Sequence, residues 1–292
     1  MRGSLLVVRS GALTTVQDEG RRGVAHLGVP RAGALDLPAM RLANRLVGNE
    51  PGAAVLETTL DGVDLVLDAD RHVAVTGAPA PVTVAARPVA FGLAVLARAG
   101  ELVEVGRADA GVRSYVAVSG GIDVPAVLGS RSTDILAGLG PEPLRRGASL
   151  PLGDTVGRVP AVDFVPYSAP PAVLHLRCVL GPRDDELTAA SLELLAVASW
   201  TVSPDSNRIG LRLEGPKLER ARWQELASEG VVDGSIQVPP DGQPVLFLAD
   251  HPTTGGYPVV AVVPEPDLWS CAQARPGTTV RLHPETARSL AG

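Results

Sequence analysis

Residues Arg113–Asp123 read RSYVAVSGGID. Alternation followed by paired glycines marks a strand that runs into a tight turn, because side chains on an extended backbone repeat every second residue. Similar runs lie on both sides of it. Leu5–Arg9, Val63–Leu67, His72–Thr76, Val82–Ala85 and Glu101–Val105 precede it. Val173–Leu180, Leu211–Glu214, Ser235–Val238, Val245–Leu248, Val259–Val263 and Thr279–His283 follow. In ELVEV and TVRLH apolar and polar residues alternate, as expected of strands with one buried face. Glycine (32) and proline (26) together make 58 of 292 residues, about 20% against a usual ~12%. The excess is spread without a period, which suits many short strands joined by tight turns. Aromatic residues are only 3%, so the cores must be built from Val, Leu, Ile and Ala.

Helical signals are fewer. Asp36 before Pro38 reads as a helix start and Gly48 as its stop, with Ala39, Leu42, Ala43, Leu46 and Val47 at helical spacing between them. Asp184–Ala198 is a second candidate, and Leu218–Ala227 and Asp267–Ala274 are shorter ones. The expected class is mainly β with a few helices. Four prolines in Val159–Ala172 mark a linker. It divides the chain into two β-rich lobes, 1–160 and 161–292.

Composition excludes several function classes. Lys+Arg is 26 against Asp+Glu 32, a net charge of -6, which disfavours nucleic acid as the main partner. Only one of the basic residues is lysine, Lys217. The phosphate-cradling GxxxxGK[ST] loop is therefore absent, and so is a biotin-attachment lysine of the Ala-Met-Lys-Met type. The two cysteines, Cys178 and Cys271, form no CxxC pair, and the five histidines show no HxxxH spacing, so no metal ligands are assigned. Near the N-terminus the apolar run is four residues long, and no stretch approaches the ~18 apolar residues of a membrane span. A cytoplasmic protein without membrane contact is expected.

Four segments carry more polar and glycine residues than a turn needs. In TTVQDEG, Thr14–Gly20, the expectation is a polar loop after the first strand, with Gln17 and Asp18 facing a ligand; a plain turn is the alternative. RSYVAVSGGID is the second segment. SNRIGLRLEG, Ser206–Gly215, holds Asn207 and Arg208, and a guanidinium fork suits carboxylate or phosphate. Gln237–Tyr257 holds an apolar strand that ends in ADHPTTGGYP. There Asp250, His251, Thr253, Thr254, Gly255, Gly256 and Tyr257 read as a ligand-facing loop, since adjacent glycines let backbone N–H groups come close to a ligand.

These runs, together with GALD at Gly33–Asp36 and RLANRLVGN at Arg41–Asn49, resemble the carboxyltransferase-domain family over about residues 5–285. That family includes the allophanate hydrolase subunit 2 group and, with the stronger resemblance, the C-subunit group of bacterial ATP-dependent 5-oxoprolinases. The resemblance implies two cyclophilin-like β-barrel lobes in tandem. It also implies a hetero-oligomer with two further components, an allophanate hydrolase subunit 1-like B-subunit and an A-subunit. Together these would turn 5-oxoproline, ATP and water into glutamate, ADP and phosphate. ATP with Mg²⁺ would then bind away from any P-loop, at a subunit interface, and no biotin would be attached to this chain. Two alternatives remain open. One is a carboxyltransferase-type subunit working on a small amide with a biotinylated partner. The other is a regulatory binding protein that antagonises a kinase inhibitor.

Site roles follow from side-chain chemistry. Asn207, Arg208 and Asp250 are the expected catalytic residues, with Arg208 stabilising an anionic transition state and Asp250 serving with ATP-bound Mg²⁺ or as a base. Gln17, Asp18, Gln237 and the Thr253–Tyr257 loop are the expected substrate contacts. The Gln237 carboxamide has both the donor and the acceptor that an amide substrate requires.

Overall fold

The computed structural model describes residues 3–155, 157–222 and 226–285. The chain is mainly β, as the strand pattern requires, and divides into two compact units. Residues 1–22 and 32–170 form the first; residues 23–31 and 171–292 form the second. The division after Pro170 falls inside the proline-rich stretch.

The first unit holds two antiparallel sheets. One contains β1 (Ser4–Arg9), β4 (Val63–Leu67), β6 (Val82–Val84), β7 (Arg87–Val89), β9 (Leu102–Val105) and β11 (Ser149–Pro151). The other runs in the order β2 (Leu13–Gln17), β3 (Val55–Thr59), β10 (Arg113–Val118), β5 (Arg71–Gly77), β8 (Val95–Ala97). A single apolar core joins them, with Leu5, Val63, Leu65 and Val103 from the first sheet and Val16, Leu56, Val75 and Val116 from the second. Helix α1 (Leu37–Leu46) lies against β5 and β10. Its start is fixed locally: the Asp36 side chain accepts from the Ala39 N–H, and Pro38 sits in the first turn.

The second unit is a closed barrel of seven strands. Around it run β12 (Val173–Leu180), β19 (Val259–Val262), β16 (Ser235–Gln237), β17 (Val245–Phe247), β14 (Gly210–Glu214), β13 (Trp200–Val202) and β20 (Thr279–Glu285). Parallel pairing of β12 with β20 closes it, from Val173 opposite Thr279 to Val179 opposite Glu285. Leu174, Leu176, Cys178, Val280 and Leu282 are buried and alternate with outward residues, and Trp200, Leu213, Ile236 and Leu246 are buried as well. A short ribbon, β15 (Glu229–Gly230) with β18 (Thr254–Gly255), completes the sheets.

Helix α2 covers Ala189–Val197 behind a 3₁₀ turn at Asp184–Glu186, and α3 covers Glu265–Cys271, so both depart from their expected limits. In Leu218–Ala227 the described residues, 218–222 and 226–227, form no helix. Their N–H groups go elsewhere: Leu218 donates to Gly242 O and Ala221 to Glu186 O. No helix among the described residues is long and apolar enough to cross a membrane.

Candidate functional site

In the first unit, Thr14–Gln17 belongs to strand β2 and not to a loop. Cross-strand register puts Thr15 opposite Glu57, and Glu57 opposite Tyr115. Alternation then brings Thr15, Gln17, Glu57, Arg113 and Tyr115 onto one sheet face. All five are buried, although five polar side chains on one face would ordinarily signal solvent. Most of their polar atoms bond to one another and to neighbouring backbone. Tyr115 Oη donates to Glu57 Oε2 at 2.9 Å and accepts from Asp36 N at 2.8 Å. Leu35 N donates to the same Glu57 oxygen, and Arg113 Nε lies 3.5 Å from the other. Burial, then the Glu57 and Asp36 charges, hold the Tyr115 phenol well above its ordinary range. This cluster anchors the Gly33–Asp36 turn.

Gln17 is turned inward. Its Nε2 donates to Thr15 Oγ1 and to the Thr133 carbonyl, and its buried Oε1 has no hydrogen-bond partner among the described residues. Asp18 follows as a hub. Its Oδ1 accepts from Gly20 N, Ser130 Oγ and Ser132 Oγ, and its Oδ2 from Arg131 N, all at 2.5–2.8 Å. Those bonds fix the loop that carries Leu128 and Gly129. An open cleft of about 360 Å³ lies there, lined by Asp18, Glu19, Arg22, Gly52, Leu128 and Gly129. Leu128 is 44% exposed and held at φ +52°, a costly backbone conformation for leucine. Asp18 thus lines a cleft with its oxygens bonded within the loop, while Gln17 is sealed in the sheet.

In the second unit, Arg208 and Asp250 meet. Arg208 Nε donates to Asp250 Oδ2 and Nη2 to Oδ1, each at 2.9 Å, with the side chains 1% and 0% exposed. This two-point ion pair joins the approach to β14 to the end of β17, where Asp250 N also donates to Arg208 O. Asn207 is exposed, and its Oδ1 accepts from Ile209 N at 2.8 Å, which shapes the turn before β14. Gln237, buried on β16, donates from Nε2 to Tyr257 O at 2.9 Å. Gly255 lies directly over it; a Cβ there would stand 2.6 Å from Gln237 Nε2. The Thr253 carbonyl accepts from Val231 N, while Thr254, Gly256 and Tyr257 are exposed.

His251, which the sequence places within the ligand-facing loop, is buried as a further anchor of that loop. Its ring stacks on Phe247 at 5.7 Å, with Nδ1 2.6 Å from Pro252 O and Nε2 2.9 Å from Asp233 Oδ1. The second contact lies off the hydrogen-bonding direction, since that oxygen has no aligned donor among the described residues. Asp233 pairs in turn with Arg31, and Arg31 with Glu265. The 250–257 loop is therefore held from beneath by Asp250, His251 and the Gln237–Tyr257 bond, and it presents Thr254, Gly256 and Tyr257 outward.

The expected site residues thus form two groups. Gln17 and Asp18 lie in the first unit; Asn207, Arg208, Gln237, Asp250 and Thr253–Tyr257 lie in the second. Both Asp250 oxygens are taken up by Arg208, which does not fit a Mg²⁺ ligand or a free base. Among the described residues, no three or more His, Cys, Asp or Glu side chains are grouped to hold a metal ion. The Glu57–Arg113–Tyr115 cluster escapes sequence reasoning; its only signal there is the period-2 spacing of polar residues within strand-like runs.

Comparison with known proteins accords with this architecture. The carboxyltransferase domain, subdomains A and B, matches residues 27–284. The C-subunit of the Escherichia coli 5-oxoprolinase is 38% identical over 95% of this chain and 90% of its own length. The urea amidolyase of Lachancea kluyveri is 34% identical over 97% of this chain, which spans only 17% of that protein. The crystal structure of the Kluyveromyces lactis urea amidolyase superposes with a TM-score of 0.88 at 32% identity, covering 97% of this chain and 19% of that one. The chain belongs to the carboxyltransferase domain family, subdomains A and B.

Proposed function

We propose that this chain is the C-subunit of an ATP-dependent 5-oxoprolinase, which opens 5-oxoproline to L-glutamate in a complex with an A-subunit and a B-subunit. One observation carries the reading: identity of 38% to the E. coli C-subunit extends over nearly the whole of both chains. The reaction suits a divided enzyme. A five-membered lactam is a stable amide, and phosphorylation of its oxygen makes a far better electrophile. That step needs positioned cations and N–H donors around a developing anion. Arg208 does not supply them while its fork is closed on Asp250. The exposed crest at Thr254, Gly256 and Tyr257 and the cleft at Asp18 are this chain's surfaces for a small amide and for its partners. In this reading ATP with Mg²⁺, which needs only one or two carboxylates beside its phosphates, is held at the interface with the partner subunits. The test is reconstitution with the two partner components, leaving out one at a time and following glutamate and phosphate together. Glutamate should appear only with all three.

A second reading has its own support, the TM-score of 0.88 to the K. lactis urea amidolyase. In that reading the chain is a carboxyltransferase-type subunit working on a small amide with a biotinylated partner. Streptavidin capture of the partner from native cells separates the two, because this chain has no biotin-attachment lysine of its own.

A further inference from the structure

On the outer face of the barrel, at the seam where it closes, His175 of β12 and His283 of β20 face each other. His175 Nδ1 lies 2.9 Å from His283 Nε2, with nearly parallel rings 5.1 Å apart, and both side chains are exposed. Nothing in the proposed reaction uses them. We propose that this pair is a binding site for a divalent d-block cation such as Zn²⁺, Ni²⁺ or Cu²⁺, which would clamp the first strand of the barrel to its last.

Three observations carry the proposal. First, metal–imidazole bonds of about 2.0–2.1 Å at a bond angle of about 90–109° need nitrogens about 2.9–3.3 Å apart. The pair already has that spacing; its nitrogens now face each other along the line of the ring centres, so each exposed ring must turn by about 35–45° to aim its lone pair at one ion. Second, the strands beneath are rigid. β12 and β20 are paired in unbroken register over seven residues, with Leu174, Leu176, Val280 and Leu282 buried behind them. Third, the neighbouring arginines are held by partners of their own, only one of which is an acid. Arg177 is closed on Asp267 by two side-chain hydrogen bonds, Arg281 donates to Ser199 Oγ, and Glu285 follows two residues after His283 on the same strand face. Two imidazoles are the only side-chain donors assigned, so solvent completes the coordination sphere. Each neutral ring keeps its one N–H on the nitrogen that faces away from the ion, so the hydrogen between the rings moves to the outer nitrogen of its own ring by exchange with solvent, and no net proton or electron is transferred.

The site does not depend on the proposed enzymatic reading. Calorimetric titration of the full chain with Zn²⁺ alone, and separately with Cu²⁺ alone, in chelator-free buffer tests it. One ion per chain is expected, with binding weakened at least about tenfold in His175→Ala and in His283→Ala and unchanged in His26→Ala. Because the ion binds the folded barrel and not the unfolded chain, it should also raise Tm in the wild type and in neither seam variant. Both seam residues are exposed, so the variants should fold, and their circular dichroism checks this. Absence of saturable binding, or binding undiminished in either seam variant, would overturn the proposal.

Discussion

Arg208 and Asp250 are joined by two hydrogen bonds of 2.9 Å with neither side chain open to solvent. A buried pair of this kind is asymmetric in its energetics. Removing one partner strands a charge and typically costs about 3–5 kcal/mol, whereas replacing both with apolar residues is often neutral. Asp250→Ala should therefore destabilise the chain by about that amount, and Arg208→Met with Asp250→Leu should recover most of it. Urea unfolding followed by tryptophan fluorescence measures both. A role for Asp250 as a solvent-facing base would instead give a stable, inactive Asp250→Ala protein.

Gly255 is held open by its neighbour. A methyl group there would meet Gln237 Nε2 at 2.6 Å and displace it from Tyr257 O. Gly255→Ala should cost about 1–3 kcal/mol, the penalty of leaving a buried amide unpaired. Combined with Gln237→Ala, the cost should be less than additive. A double-mutant cycle in urea would expose strict additivity, which would disprove the contact.

Alkaline titration should set Tyr115 apart. Its phenol is held well above the ordinary value by burial and the neighbouring carboxylates. The unfolded chain ionises this phenol first, so its contribution to stability is intact below about pH 10 and falls as pH rises from there towards the folded value. Phenolate absorbance should show one tyrosine that appears only as the fold is lost. Tyr115→Phe should remove that late step.

Both cysteines should be silent in the native protein. Burial pushes the Cys178 thiol to about 11 and the Cys271 thiol to about 12. Thiolate is the reactive form, so little is present near neutral pH. A thiol reagent at pH 8 should label neither cysteine until denaturant is added. Rapid labelling in the folded state would contradict the barrel packing around Cys178.

The parts of this fold that are legible in sequence are those with local causes. Asp36, Pro38 and Gly48 mark α1 because capping acts within one turn. ELVEV and RSYVAV mark strands because alternation needs only neighbours. Gln17 misleads because TTVQDEG is polar, and polarity suggests exposure. Its partner, the Thr133 carbonyl, lies 116 residues away, and such pairing leaves no local trace. Arg208 and Asp250 both stand out in sequence, but their union across 42 residues does not. The residue types point to catalysis; the geometry makes the pair an anchor for the 250–257 loop.

The most direct test of the functional account is a substrate comparison with the complex purified from its native cells. It would be given 5-oxoproline or urea in turn, with ATP, while phosphate, glutamate and carboxylated product are followed. Phosphate and glutamate released in step with 5-oxoproline, and neither with urea, is the predicted result. Urea-dependent carboxylation with a streptavidin-reactive partner present, and no glutamate from 5-oxoproline, would contradict the 5-oxoprolinase assignment.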